Sequence, residues 1–268
     1  MIVAIDSFEA YRNFILDVSC DPLFHDPHFT YNPNNLYSSL HNKDKSAFAV
    51  MTAGAIQGVF VWLILSGERY MEMLVGLTRS ESAFSEMLCF LEKRYPGYKA
   101  DFVLNPKNTA LISVLNEKKA YFDKEQQKMI LTNAVTDIST DCVEEYSEKW
   151  RVQYCTLHSA DTYWTAERIL SALDRFRVLL AVKNHQVLGY LDVTHCYNVN
   201  EPFDLFVRPE LPFREYAVPL LSEAVKRNKP NQMMVLVCTE STEEIAAYVA
   251  SGFEKVEGQN SVYAFYQL

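Results

Sequence analysis

Val207-Arg-Pro-Glu210, Tyr216-Ala-Val-Pro-Leu-Leu221, Leu236-Val237 and Tyr248-Val-Ala-Ser-Gly252-Phe253 follow one another at orderly spacing in the second half of the chain. They fall within an alternation of strands and helices. Val178-Leu-Leu-Ala-Val182 and Val187-Leu-Gly-Tyr-Leu-Asp-Val193 read as strands about a turn at Lys183-Asn-His-Gln186, with a third strand over 203–207. A helix is expected over 216–227, closed by Asn228-Lys-Pro230, then a strand over 233–237, a helix over 242–250 and a last strand over 261–266. Pro219 suits that first helix only in its opening turn, where an N–H lacks an intrahelical partner.

The first half repeats this order. Ala47-Phe-Ala-Val-Met51 and Val59-Phe-Val-Trp-Leu-Ile64 read as paired strands, followed by a strand over 70–75. Phe84, Met87, Leu88 and Leu91 at i, i+3, i+4 and i+7 predict a helix over 83–94, ended by Pro96-Gly97. Asn108 is placed to cap a helix over 109–119. Leu88 corresponds to Leu221, Lys93-Arg94 to Lys226-Arg227, Asn108 to Ser241, Leu115 to Tyr248 and Ile130 to Tyr263, each pair 133 residues apart. A constant offset across helix, loop and strand points to two copies of one mixed domain, expected at 1–135 and 136–268, with the polar stretch 136–142 as linker.

Composition narrows the partners. With 268 residues, 49% hydrophobic, the chain has core enough for two domains, and 25 basic against 34 acidic residues give a net charge of −9. A nucleic-acid backbone or an anionic membrane would be repelled, so the expected partner is a small molecule or a peptide. The start, Met1-Ile-Val-Ala-Ile-Asp6, lacks the basic flank and long apolar run of a secretion signal. Six scattered cysteines without a Cys-x-x-Cys pair read as reduced, and the expected setting is cytoplasmic. His25-Asp-Pro-His28 has no third clustered ligand and reads as a loop, so no metal is expected.

Gly189-Tyr, Phe206-Val-x-Pro-Glu, Leu220-Leu221 and Tyr248-x-x-x-Gly252-Phe253, in this order, resemble the GNAT superfamily of N-acetyltransferases, and the whole chain resembles a tandem of two such domains. The resemblance implies an α/β fold of two acyl-CoA N-acyltransferase-like domains, each a twisted, mostly antiparallel sheet with helices on both faces. It also implies acetyl-CoA as co-substrate and acetyl transfer to a primary amine. Such chemistry needs a base for the attacking amine and an acid for the departing thiolate. Tyr248 stands where the superfamily places its acid; Asp204, or a held water, is the candidate base, with Asp192 behind it.

For the cofactor the resemblance points to Phe206 and Val207 on the strand, Ser241 where the family often has asparagine, and a phosphate loop over Phe213, Arg214, Glu215, Tyr216 and Ala217. The glycines of that loop are missing here. Glu215 stands where backbone should approach the phosphates, and its charge opposes them. The first half has Leu115 in place of Tyr248 and Thr78-Arg-Ser-Glu-Ser82 in place of the loop, and reads as a degenerate, non-catalytic copy. A second function stays open, a ligand- or partner-binding protein that has lost acetyl-CoA binding; a homodimer through the sheets is a further expectation.

Overall fold

The computed structural model describes residues 1–268 apart from Asn32, Ala134, Thr136, Asp161 and the side chain of Tyr31. The chain divides into two compact units, Met1–Gln126 with Gly258–Leu268, and Gln127–Glu257.

The first unit runs β1 (Ile2–Ala4), α1 (Arg12–Ser19), α2 (Pro27–Tyr31), α3 (Asn34–Tyr37), β2 (Lys45–Thr52), β3 (Ala55–Leu65), β4 (Tyr70–Leu77), α4 (Glu81–Arg94), β5 (Lys99–Leu104), α5 (Thr109–Glu117) and β6 (Tyr121–Phe122). Its sheet, in the order β1-β2-β3-β4-β5-β15-β6, takes in β15 (Val262–Gln267) from the far end of the chain. Phe84, Met87, Leu88 and Leu91 of α4 are buried, as their spacing predicts, and the Asn108 side chain caps α5 by accepting from the Leu111 N–H at 3.1 Å. Strands β4 and β5 are parallel neighbours from Tyr70 to Met73 and separate beyond it.

In the second unit the elements are β7 (Gln126–Leu131), β8 (Val143–Glu145), α6 (Arg151–Leu157), α7 (Ala166–Leu170), β9 (Phe176–Lys183), β10 (Gln186–Thr194), β11 (Val199–Asn200), β12 (Pro202–Val207), α8 (Phe213–Asn228), β13 (Gln232–Cys238), α9 (Thr242–Ala250) and β14 (Phe253–Lys255). They form two sheets, β12-β10-β9-β8 and β11-β13-β7-β14. Strand alternation divides the core. Leu179, Ala181, Leu191, Val193 and Val207 pack with Leu220 and Leu221 of α8 and with Tyr248 of α9. Val178, Leu180 and Tyr190 turn the other way, onto Trp150, Tyr154 and Ile169.

Two features depart from the sequence reading. Helix α8 begins at Phe213, three residues earlier than expected, because Pro212 is extended at φ −64°, ψ 109° and serves as its N-cap. Pro219 therefore lies inside the helix, beyond the first turn, where it withholds an N–H from the ladder. The units are also not contiguous in sequence. β15 runs antiparallel to β5 from Lys99↔Gln267 to Leu104↔Val262, while β7 pairs with β14 through Met129↔Lys255 and Leu131↔Phe253. The two strands at equivalent places in the repeat have exchanged sheets. Of the expected linker, Thr136 lies outside the described residues.

All six cysteines are free. Among the described residues no helix is long and apolar enough to cross a membrane.

Candidate active site

A one-residue bulge arranges the site. Tyr190 faces Phe206 and Asp192 faces Asp204, but the next pair is Val193↔Pro202, so Phe203 is an extra residue on β12. Beyond it the Thr194 N–H donates to the Glu201 carbonyl at 3.0 Å, and the Glu201 N–H to Thr194 Oγ1 at 2.8 Å. Residues opposite one another in a ladder share a face. Tyr190, Asp192 and Thr194 therefore lie on one face with Phe206, Asp204 and Glu201. In unbroken alternation Glu201, three positions from Asp204, would point the other way.

That face holds a hydrogen-bonded network. Asp192 is wholly buried; the Tyr154 hydroxyl donates to both its oxygens at 2.9 Å, and His158 Nε2 stands 3.0 Å from its Oδ2. His158 Nε2 is also 3.5 Å from Asp204 Oδ2, which accepts from the Tyr190 hydroxyl at 2.8 Å. The Tyr190 ring stacks on His158, with centroids 5.1 Å apart. His158 Nδ1 lies 3.2 Å from the Ser159 carbonyl, which can only accept, while Nε2 faces two carboxylates. Both nitrogens thus face oxygen acceptors, an arrangement that favours the imidazolium. Burial opposes that charge, but the Asp192 hydrogen bond and the Ser159 carbonyl outweigh it and raise the pKa above 6.5. At Asp192 burial dominates and raises the carboxyl pKa, against the pull of His158 and Tyr154.

Tyr248, on α9, is 1% exposed, with its ring 5.2 Å from that of Phe253. Its hydroxyl makes no hydrogen bond among the described residues. Burial, then the charges of Glu244, Glu201 and Asp204, hold its pKa well above 10, so it keeps its proton.

The neighbouring opening is a strand edge. β12 ends its sheet and β13 belongs to the other, so the two are not paired. Because the Arg208 N–H donates to the Leu188 carbonyl, the ladder parity turns the backbone groups of Leu205 and Val207 away from β10. Phe206 directs its backbone towards Tyr190 and stacks its ring there at 5.5 Å.

At the start of α8 the Pro212 cap provides no side-chain bond, and the Glu215 N–H turns back to the Pro212 carbonyl at 3.1 Å. Tyr216 and Ala217 are buried in the core. Phe213 and Ser241 line a depression of about 350 Å³ with Glu240, Glu243 and Glu244. Arg214 lines a second, of about 510 Å³, with Thr239, Thr242 and Lys255. Ser241 makes no capping bond, and Arg208 Nε is drawn to the Val187 carbonyl at 3.0 Å. A free strand edge suits the amide arm of acetyl-CoA. The phosphates would meet Glu215, Glu240 and Glu243, with Arg214 and Lys255 as the nearby cations.

In the first unit the equivalent place is filled from within. Where β4 leaves β5, the Gly76 N–H donates to Asp26 Oδ2 at 2.9 Å and His28 Nδ1 lies 3.3 Å from the Met73 carbonyl. The stretch read as a loop around these residues is helical from Pro27. Ser80 caps α4 through the Ala83 N–H at 3.2 Å, and Leu115 is wholly buried at the position matching Tyr248.

His158, Asp192 and Asp204 bring three potential ligand atoms within 4.8 Å of one another, a spacing that suits a divalent ion. Each of these atoms has a hydrogen-bond or ion-pair partner within the network. His158, Tyr154, Glu201 and Glu244 escaped the sequence reading. A signal for the first two was the carboxylate of Asp192 in an otherwise apolar strand, since a buried charge demands partners.

No protein-family model matches the chain, and no curated protein matches it in sequence. Solved structures do match in fold. A GCN5-related N-acetyltransferase from Sphaerobacter thermophilus superposes with a TM-score of 0.62 at 10% identity, over 99% of this chain and 95% of that one. One from Kribbella flavida gives 0.56 at 10% identity, over 90% and 95%. A tandem GNAT protein from the clavulanic acid biosynthesis pathway gives 0.50 at 13% identity, over 100% and 98%. The fold is that of tandem GNAT proteins.

Proposed function

We propose, with the tandem GNAT fold as premise, that the second unit transfers an acetyl group from acetyl-CoA to a primary amine in the cytoplasm. The observation that carries this reading is the unpaired edge of β12, the strand that bears Asp204, with the buried, protonated Tyr248 close enough to feel the Asp204 charge. Asp204 takes a proton from the acceptor ammonium. The amine nitrogen then bonds to the thioester carbonyl carbon, the carbon–sulfur bond breaks, Tyr248 protonates the departing thiolate, and the second proton that the nitrogen sheds as the amide forms returns to the tyrosine. The imidazolium of His158, 3.5 Å from Asp204, and the Tyr190 hydroxyl orient that carboxylate. The backbone of Val207 and Leu205 receives the pantetheine arm; Phe213 to Ala217 and Ser241 lie towards the phosphates.

The test is thiol release from acetyl-CoA in the presence of a panel of primary amines. Amine-dependent release lost on Asp204→Asn and Tyr248→Phe supports the reading; no release, with no heat on titrating millimolar acetyl-CoA, overturns it. A second reading has its own support in Glu215, Glu240 and Glu243 around the starts of α8 and α9. In that reading the unit binds an amine without transferring anything to it.

A further inference from the structure

The first unit holds a cavity of about 680 Å³ that acetyl transfer in the second unit does not use. It opens where β1 ends and β2 runs on without it, beside the turn Ser38–His41 and the last residue of α4. Three full cations line it, Lys43, Lys45 and Arg94, together with His41, against the single carboxylate of Asp6. In a chain of net charge −9 that balance runs against the trend. Other cations of this unit are matched: Arg79 by Asp17 and Asp21, Lys99 by Asp101, Lys118 by Glu92. Those of the cavity have no carboxylate partner among the described residues. The Lys45 ammonium donates to Ser38 Oγ at 3.1 Å. Arg94 Nε donates to the Tyr95 hydroxyl at 3.1 Å, and the two terminal nitrogens of the guanidinium stay unpartnered among the described residues.

The strand edge adds a backbone donor. The Ile5 N–H donates to the Ala47 carbonyl at 2.9 Å, and the N–H and C=O of one strand residue project to the same side. The Ala47 N–H therefore faces the space that the chain vacates as it turns off at Asp6. It meets no acceptor among the described residues, although Ala47 is only 7% exposed. A buried N–H without an acceptor is costly, and one beside unpaired cations calls for an anionic oxygen. The volume is that of a small-molecule site, and Phe48 and Tyr95 give it an apolar wall. We infer that this cavity binds a small phosphate monoester. Lys43, Lys45 and the fork of Arg94 meet the phosphate oxygens, the Ala47 N–H donates to one of them, and the ester group lies against Phe48 and Tyr95. Three cations against one carboxylate leave the charge that a phosphate dianion balances.

The probes are phenyl phosphate, benzoate and benzyl alcohol, titrated calorimetrically into the full chain without acetyl-CoA. Phenyl phosphate should bind at least about tenfold more tightly than benzoate, and benzyl alcohol should give no measurable heat. Lys43→Gln and Arg94→Gln should each weaken phenyl phosphate about fivefold, a modest factor because both side chains are exposed. Asp6→Asn, which removes the one opposing charge, should tighten it about threefold. Thermal melts of the variants confirm that they fold. No heat from phenyl phosphate at millimolar concentration overturns the inference, as does benzyl alcohol or benzoate binding equally well. Phenyl phosphate binding that is unchanged in the folded Lys43→Gln and Arg94→Gln proteins lies elsewhere on the chain and overturns it too.

Discussion

Gly189→Ala tests the close approach of β10 and β12 on which the site is built. A Cβ at Gly189 would sit 2.5 Å from the Phe206 carbonyl oxygen and 3.2 Å from both Val207 Cα and Val207 Cγ2. Ordinary contact begins near 3.4 Å, so the Phe206 carbonyl must retreat by about 0.9 Å. The obstacle is backbone, so no rotamer change relieves it and β12 itself must move. A ladder bond of about 2.9 Å stretched by that much no longer qualifies as one, and the Tyr190–Phe206 pair has two. At about 1 kcal/mol each, the expected loss is about 2 kcal/mol. Urea unfolding measures it, with Gly67→Ala as control, since nothing lies within 4 Å of a Cβ there. The displaced strand carries Asp204, so the 2.8 Å bond from Tyr190 should lengthen and amine-dependent thiol release should fall further than stability alone explains. A Gly189→Ala protein within about 0.5 kcal/mol of the parent, with unchanged turnover, would refute the argument.

Tyr248→Phe should lower kcat about a hundredfold while leaving urea stability within about 1 kcal/mol, since its hydroxyl makes no bond to lose; comparable losses in both would mark a structural tyrosine. His158 has a folded-state pKa raised above 6.5, so its contribution to stability is complete below about 6.5 and is lost as pH rises through the folded value. The stability gap between the parent and His158→Gln should accordingly narrow as pH rises above about 6.5 and through the folded-state value, and a constant gap would contradict the imidazolium. Asp26→Ala leaves the Phe29 and Gly76 N–H groups without their acceptor in the first unit. It should cost about 3 kcal/mol in urea unfolding, and a neutral result would show that water replaces the carboxylate.

The repeat was legible because helix spacing and caps are local. Thr109–Glu117 and Thr242–Ala250 both begin where the sequence places them. What local pattern cannot specify is which of two similar sheets a strand joins. β7 and β15 occupy equivalent places in the repeat, so nothing in their periodicity reports the exchange. Within the site, Asp192 was visible as a charge in an apolar strand, but His158 and Tyr154 lie 34 and 38 residues away in sequence. Glu201 was hidden for a different reason: an alternating strand would turn it away from Asp204, and only the cross-strand register reveals Phe203 as the extra residue.

The exchange of β7 and β15 has a consequence for how the chain is made. Synthesis delivers β5 long before β15, so its edge from Lys99 to Leu104 waits without a partner while the whole second unit is being translated. Phe102 and Ala100, which end in the core beside Ala264 and Tyr266, wait with it. Completion of the first unit is therefore tied to the arrival of Gly258–Leu268. A polypeptide that stops before β15 keeps a bare strand edge of the kind that aggregates or attracts proteases. The first unit is thereby completed only after the second has been made.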